Sequence, residues 1–216
     1  VNLGIALAQR GLRVGLLDAD LGLANVDILL GLTPTYTLAD VILGDMSLSD
    51  IRLTGPAGLF VFPGGSGVEA LAQVSPAQIS RFLDRITALD DELDVLLIDT
   101  AAGIGPTVTA FVEGAGEMIV VTTPEPTAIT DAYALVKNTG RKAGAGRLHL
   151  VVNHARSENE ARNVCRNLNL VLRRFTAEPA VLELLGYLTY DAQVTRAALT
   201  QVPLILSQPS GPVARS

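Results

Sequence analysis

The chain contains no tryptophan and one cysteine, and aromatic residues make up only 4% of it. A single thiol, Cys165, rules out a disulfide within the chain and fits a reducing, cytoplasmic setting. Positive charge is scarce as well, with 16 Lys and Arg against 22 Asp and Glu, a net charge of −6. That balance argues against a surface built to neutralise nucleic-acid phosphates. The basic clusters that do occur, Arg141-Lys142 with Arg147 and the pair Arg173-Arg174, suit the carboxyl ends of helices, where cations complement the macrodipole. No apolar run approaches the roughly 20 residues that span a bilayer. No basic segment followed by an apolar stretch opens the chain as a secretory signal would, so a soluble protein is expected.

Hydrophobic residues, by contrast, make up 49% of the 216 positions, enough for one substantial core and a single domain over 1–216. Short runs rich in Val, Ile and Leu fall at 14–17, 59–62, 95–98, 118–122, 148–152 and 183–188. Segments of helical period separate them, the pattern of parallel strands joined by crossover helices. The runs seldom alternate with polar residues, which predicts strands buried on both faces and helices on each side of the sheet. Ser75-Pro76-Ala77-Gln78 carries an N-cap, a proline at the first helical position and a capping-box glutamine, and Ile79, Phe82, Leu83, Ile86 and Leu89 follow as one apolar stripe. Ser157 with Glu160 reads as a second capping box, Thr127 as the cap of a helix running to Gly140, and Asp191 as the start of another reaching Ala198. Residues 1–11 read as a helix already under way, ended by Gly11, so a preceding amino-terminal segment is expected.

Chemistry concentrates in acids at strand ends. Asp18 and Asp20 close the first apolar run two residues apart, so on a strand they share a face at its carboxyl end, where open α/β sheets bind ligands. Asp99 ends the run Val95-Leu-Leu-Ile98, a Walker B pattern in which a carboxylate holds Mg²⁺ through its water shell. A lone strand-end Asp also serves as a cap for the following loop. Three such acids on neighbouring strands would repel one another unless a cation offset them. The glycine-rich stretch 63–67 lacks a following Lys-Ser or Lys-Thr and reads as a turn needing positive φ, while Gly103-Ile-Gly105 lacks the third glycine of a dinucleotide fingerprint.

Four segments taken together carry a resemblance: 18–31, 99–105, 123–133 and 186–191. In order and spacing the chain resembles the MinD/ParA family of deviant Walker-A ATPases, and within it the branch that sets flagellar number and placement. The resemblance implies a three-layer, doubly wound α/β fold with a mostly parallel sheet of the P-loop NTPase (SIMIBI) type. It also implies ATP and Mg²⁺ as cofactors, with Asp20 positioning the attacking water and Asp18 and Asp99 holding the magnesium hydration shell. Asn153 would read adenine, with Thr189 and Tyr190 lining the base pocket, although Asn153 could equally end a strand. Gly103, Glu125 and Asp131 would lie at a dimer interface or switch. The family's phosphate loop and first strand do not occur in the sequence and are expected upstream of Val1, and Leu188-Thr189 replaces the family's Ile-Pro.

The resemblance further implies an ATP-dependent homodimer that turns over slowly. A flagellar GTPase or flagellar transcription regulator is the expected partner, and a membrane-attaching helix is expected beyond Ser216, giving a cytoplasmic protein that docks peripherally on the inner face of the cell membrane. Division-site or chromosome-partitioning ATPases are the rival readings, with a non-catalytic interaction module if the phosphate loop is truly absent. No specific nucleic-acid partner is expected. An iron–sulfur carrier on the same fold would need paired cysteines, and only Cys165 is present.

Overall fold

The computed structural model describes residues 1–65, 74–140 and 147–216. Ser66, Gly67, Arg141 and Lys142, singled out above, lie outside the described residues. In chain order the first elements are α1 (Asn2–Gln9), β1 (Val14–Ala19), α2 (Val26–Leu30), α3 (Leu38–Ile42), α4 (Leu48–Ile51), β2 (Leu53–Thr54), β3 (Phe60–Phe62), α5 (Pro76–Ile86) and β4 (Val95–Thr100). They are followed by α6 (Pro106–Gly114), β5 (Met118–Thr122), α7 (Pro126–Thr139), β6 (Leu148–Val152), α8 (Glu158–Phe175), β7 (Leu182–Tyr187), α9 (Ala192–Thr200), α10 (Leu204–Ser207) and α11 (Pro212–Arg215). The chain forms two compact units, one of Val1–Ala101 with Ala192–Ala214, the other of Ala102–Asp191 with Arg215–Ser216.

The first unit carries a sheet in the order β2-β3-β1-β4. β1 runs parallel to β3 on one side and to β4 on the other, in a register that sets Val14 beside Val95 and Asp18 beside Asp99. All six residues of β1 are buried, as its apolar run predicts. Ile5 of α1 joins Val14, Leu16, Val26, Leu30, Leu59 and Val61 in one apolar cluster. α1 ends as expected: Gly11, at φ 88, takes the left-handed conformation that a side chain resists, and its N–H returns to Ala8 O at 2.9 Å. β2 is antiparallel to β3 and only two residues long, too short to leave a periodic trace in the sequence. Arg13 clasps the start of β1 to that of β4. Its backbone N–H and its Nη2 donate to the Asp94 carboxylate at 2.8 and 2.7 Å, and its Nη1 donates to Asp91 O at 2.7 Å.

The second unit carries the parallel sheet β5-β6-β7. Here the prediction of strands buried on both faces needs correction, because β5 and β6 alternate, with Ile119 and Val121 exposed while Met118, Val120 and Thr122 are buried. α7 and α8 pack on each other and on this sheet, so the strands bury the face that meets those helices. α8 does so through Ala161, Val164, Cys165, Leu168 and Leu172, a stripe of helical period. Asn169, on the same helix, completes the start of β7: its Nδ2 donates to Leu182 O at 2.9 Å and its Oδ1 accepts from Leu182 N at 3.0 Å.

Helix starts agree with the sequence in part. Ser75 and Gln78 exchange the two hydrogen bonds of a capping box. Ser157 caps α8, but the box is incomplete, because the Glu160 carboxylate accepts the Arg156 N–H at 2.6 Å instead of that of Ser157. The cap of α7 is Glu125, not Thr127, since Pro126 occupies the first helical position, where its missing N–H costs nothing. Thr37 with Asp40 and Ser47 with Asp50 form two further boxes in which Asp replaces the usual Glu or Gln.

Two outcomes follow. Asn169→Ala removes the side-chain partner of the Leu182 N–H and leaves Leu182 O only the weak Cys165 thiol donor, and a loss of about 2 kcal/mol is expected in chemical denaturation. The Arg13 guanidinium, first through its hydrogen bond, holds the Asp94 carboxyl below the usual carboxylate range. A depressed acid contributes stability that is present above its unfolded pKa and lost as pH falls through the folded value. Denaturation midpoints measured from neutral to acid pH should therefore fall less steeply in Asp94→Asn than in the wild type.

Candidate functional site

In the first unit the acids of β1 and β4 meet as the register requires. Asp18 and Asp99 are cross-strand partners, so their side chains stand on one face of the sheet at its carboxyl end. Their surroundings differ: Asp18 is 2% exposed, whereas Asp99 is open to solvent. Asp18 Oδ2 accepts the N–H groups of Asn25 and Val26 at 2.8 and 2.9 Å, and Oδ1 accepts that of Asp20 at 3.3 Å. Asn25 caps α2 without a capping bond from its own side chain. Asp18 therefore does that work from the end of β1 and ties the loop 20–25 to the strand. Burial, the largest influence, pushes the Asp18 carboxyl above the usual range, the three amides pull it back, and the charge of Asp99 adds to the rise.

Asp20 is fixed by the same loop. Its Oδ1 accepts the N–H groups of Gly22 and Leu23 at 3.3 and 3.0 Å, which turns the chain directly after β1 and leaves the carboxylate partly exposed. Gly64, just after β3, closes the arrangement. A Cβ there would lie 2.4 Å from Ala24 Cβ and 2.8 Å from Asp18 O, so only glycine lets this loop approach. Its neighbour Gly65, at φ 113, bears out the positive φ predicted for this stretch.

Among the described residues no three His, Cys, Asp or Glu side chains converge tightly enough to hold a metal directly. Two adjoining carboxylates, one of them solvent-facing, do fit a Mg²⁺ that keeps its waters, because Mg²⁺ gives up its shell reluctantly. Asp99 is the better placed to contact that shell, since both oxygens of Asp18 already serve the loop. No phosphate-binding loop occurs among the described residues, and phosphate contacts are assigned to none of them.

The second unit brings together Asn153, Thr189 and Tyr190. Asn153 follows β6 and donates its N–H to Thr122 O at 2.7 Å, and its Oδ1 accepts from His154 N at 3.0 Å. Residue 188, leading from β7 to Thr189 and Tyr190, is tied to this segment by Leu188 N to Val152 O at 2.9 Å and Ala155 N to Leu188 O at 3.0 Å. Sequence reasoning missed His154, whose ring meets Tyr190 edge-on with centroids 5.6 Å apart. It also missed the close packing of Gly64. The remaining candidates occupy separate places. Gly103 adopts φ 102 in the exposed turn before α6, Glu125 caps α7 while donating its N–H to Thr123 Oγ1 at 3.4 Å, and Asp131 is exposed on the second turn of α7.

Asp18→Ala leaves the amides of Asn25 and Val26 unpaired. Amide hydrogen exchange at Asp20, Asn25 and Val26 should accelerate at least tenfold, and stability should fall by roughly 2–4 kcal/mol. Unchanged exchange at those three amides would show that the loop holds itself.

Comparison with known proteins agrees with this architecture. The model of the ParA family, described as NUBPL iron-transfer P-loop NTPase, matches residues 1–216. The chain is 47% identical to the antiactivator FleN of Pseudomonas aeruginosa over 201 residues, covering 93% of this chain and 71% of FleN. It is 37% identical to the flagellum site-determining protein YlxH of Helicobacter pylori over 162 residues, 74% of this chain and 54% of YlxH. Among solved structures, the septum site-determining protein MinD of Pyrococcus horikoshii, complexed with Mg-ADP, superposes with a TM-score of 0.80 at 26% identity, covering 99% of this chain and 84% of that one. Whole-length similarity of sequence and fold, with acids at the ends of parallel strands, makes this chain a member of the ParA/MinD family of P-loop NTPases.

Proposed function

We propose that the protein is an ATP-dependent dimerisation switch that hydrolyses ATP slowly to regulate flagellar number or placement. The observation that carries the chemistry is the anchored acidic loop, in which Asp20 is held by two backbone N–H groups on a loop that Asp18 ties to β1. A carboxylate fixed in this way can orient a water for in-line attack. The water oxygen bonds to the γ-phosphorus, the bond to the β,γ-bridging oxygen breaks, and ADP and phosphate leave, with the water proton passing to Asp20 or to a phosphate oxygen. Mg²⁺ accompanying the nucleotide would offset the charge that develops on the phosphates. Asp99, with Asp18 behind it, would hold its water shell.

The flagellar assignment is supported by YlxH, a flagellum site-determining protein, and a regulatory role by FleN, an antiactivator. Septum site-determining relatives, at 26 to 34% identity, support the division-site alternative less strongly than FleN does the regulatory one at 47%. An iron-carrying role, present in the family description, is disfavoured because Cys165 is the only cysteine and is buried with its Sγ 3.5 Å from Leu182 O. On this reading Asn153, Thr189 and Tyr190 receive the base, and Gly103, Glu125 and Asp131 lie where a second protomer or a partner senses the nucleotide. The protein acts in the cytoplasm and docks peripherally on the membrane. No helix among the described residues is long and apolar enough to cross one.

The test is Asp20→Ala in the full-length protein. Calorimetry should show ATP affinity within a fewfold of wild type and light scattering should show ATP-dependent dimers, while steady-state turnover falls on the order of 10²-fold or more. Unchanged turnover removes Asp20 from the role, and a wild type that binds no ATP leaves the non-catalytic module as the better reading.

A further inference from the structure

We propose that the cavity between α3 and α5 is a docking site for an acidic peptide of a partner protein, in which one Asp or Glu side chain pairs with Arg81 and Arg85 and a neighbouring aliphatic residue rests on Leu43. The site lies wholly within the first unit and does not depend on the nucleotide reading.

α3 packs on α5, and a cavity of about 220 Å³ opens between the end of one and the flank of the other. The turn after α3 supplies Leu43, Gly44 and Asp45 to its wall, and α5 supplies Gln78, Arg81 and Arg85. Gly44 lets that turn fold tightly over the helix end, because a Cβ there would lie 2.6 Å from Asp40 O. The three α5 residues are spaced three and four apart and so share one face of the helix. Their hydrogen bonds leave donors over. Gln78 Oε1 is taken by the N–H and the hydroxyl of Ser75, at 2.9 and 2.7 Å, which leaves the amide its Nε2. Arg85 Nη1 donates to Val41 O at 2.6 Å, closing a carbonyl at the end of α3 and using only part of the guanidinium fork. Arg81 bonds only to Ala77 O of its own helix, at 3.4 Å, and neither arginine meets a carboxylate among the described residues. Two guanidinium groups without a counter-charge, in a chain of net charge −6, call for a negatively charged acceptor.

Size and exposure select that acceptor. At about 220 Å³ the cavity is below the roughly 300 Å³ at which ligand pockets begin, so it takes an end group rather than a whole cofactor. Both arginines are exposed, and an exposed ion pair changes affinity by no more than about fivefold, too little to retain a free anion. Further affinity has to come from apolar contact, which Leu43, 45% exposed, offers beside them. Asp45, the one acid in the lining, repels anions on its side of the cavity and so disfavours nucleic acid and other polyanions. A single carboxylate on a chain with an aliphatic neighbour meets all three conditions.

The test is selection from a random peptide library on the immobilised full-length protein and, in parallel, on Arg81→Gln, a variant that gives up no bond outside its own helix. The wild type should enrich peptides carrying Asp or Glu beside Leu, Ile or Val, and Arg81→Gln should not. A synthetic peptide of the enriched sequence, titrated by calorimetry, should bind Arg81→Gln about fivefold or more less tightly than wild type. Its affinity for the wild type should fall as salt rises and be lost when its acid is replaced by the amide. Enrichment of the same acidic peptides by both proteins overturns the proposal, as does a wild type that enriches none. Inorganic phosphate or glutarate binding as tightly as the peptide also overturns it, since the site would then hold a small anion rather than a chain. None of these outcomes bears on ATP binding, which is measured separately.

Discussion

One buried carboxylate governs the acidic end of the first unit. Asp18 has almost no exposure to water, and its oxygens are occupied by backbone N–H groups of Asp20, Asn25 and Val26. The loop after β1 therefore does not choose its own conformation: a strand residue caps the helix that follows it, in place of the capping bond that the Asn25 side chain does not make. Gly64 lets the next loop press against the same spot, where any side chain would run into Ala24 and the Asp18 carbonyl. The position of Asp20, two residues on and held by a tight turn of its own, is a consequence of this anchoring. Removing the carboxylate costs more than its hydrogen bonds, because the Val26 amide it leaves behind is buried.

The same arrangement carries an electrostatic cost. Burial and the neighbouring Asp99 both disfavour the charged form of Asp18, and the amides offset only part of that. A cation near Asp99 would relieve the remainder, since an opposite charge at close range favours the charged form of Asp18. With a net charge of −6 the chain offers no general field to attract a polyphosphate. In the proposed function, the anion reaches these acids only with its own divalent cation between them. Magnesium dependence is then a property of the acid pair as much as of the nucleotide.

How far the sequence disclosed this depends on whether the determinant is local. The runs at 118–122 and 148–152 coincide with β5 and β6, because consecutive β-branched and aliphatic residues record strand conformation directly. Ser75 with Gln78 was legible for the same reason, as both partners lie within one turn. The cap of α7 was misread because Thr127 has the better capping side chain, yet Pro126 fixes the first helical position one residue earlier. Two-sided burial, inferred from apolar runs, holds for β1 but not for β5, where the packing of α7 and α8 decides which face is covered. At the site, the spacing of Asp18 and Asp20 and the run ending at Asp99 were readable, and the β1–β4 register joins Asp18 to Asp99. The anchoring role of Asp18 was not readable, since its partners are amides seven and eight residues along, and any residue but proline would supply them.

His154 marks the limit more sharply. A glycine or asparagine at that position would have announced a left-handed turn, whereas histidine there is invisible until the backbone is seen. Its presence has a physical consequence for what the second unit recognises. Ring stacking and amide pairing involve no net charge, so they respond weakly to ionic strength and strongly to the identity of the base. The acids of the first unit respond in the opposite sense, to the cation and the charge of the phosphates, and take no account of the base. Under the proposed function the two kinds of contact therefore answer to different chemistry. A change in base discrimination should arise from residues 153, 154 and 190, and a change in metal dependence from residues 18, 20 and 99.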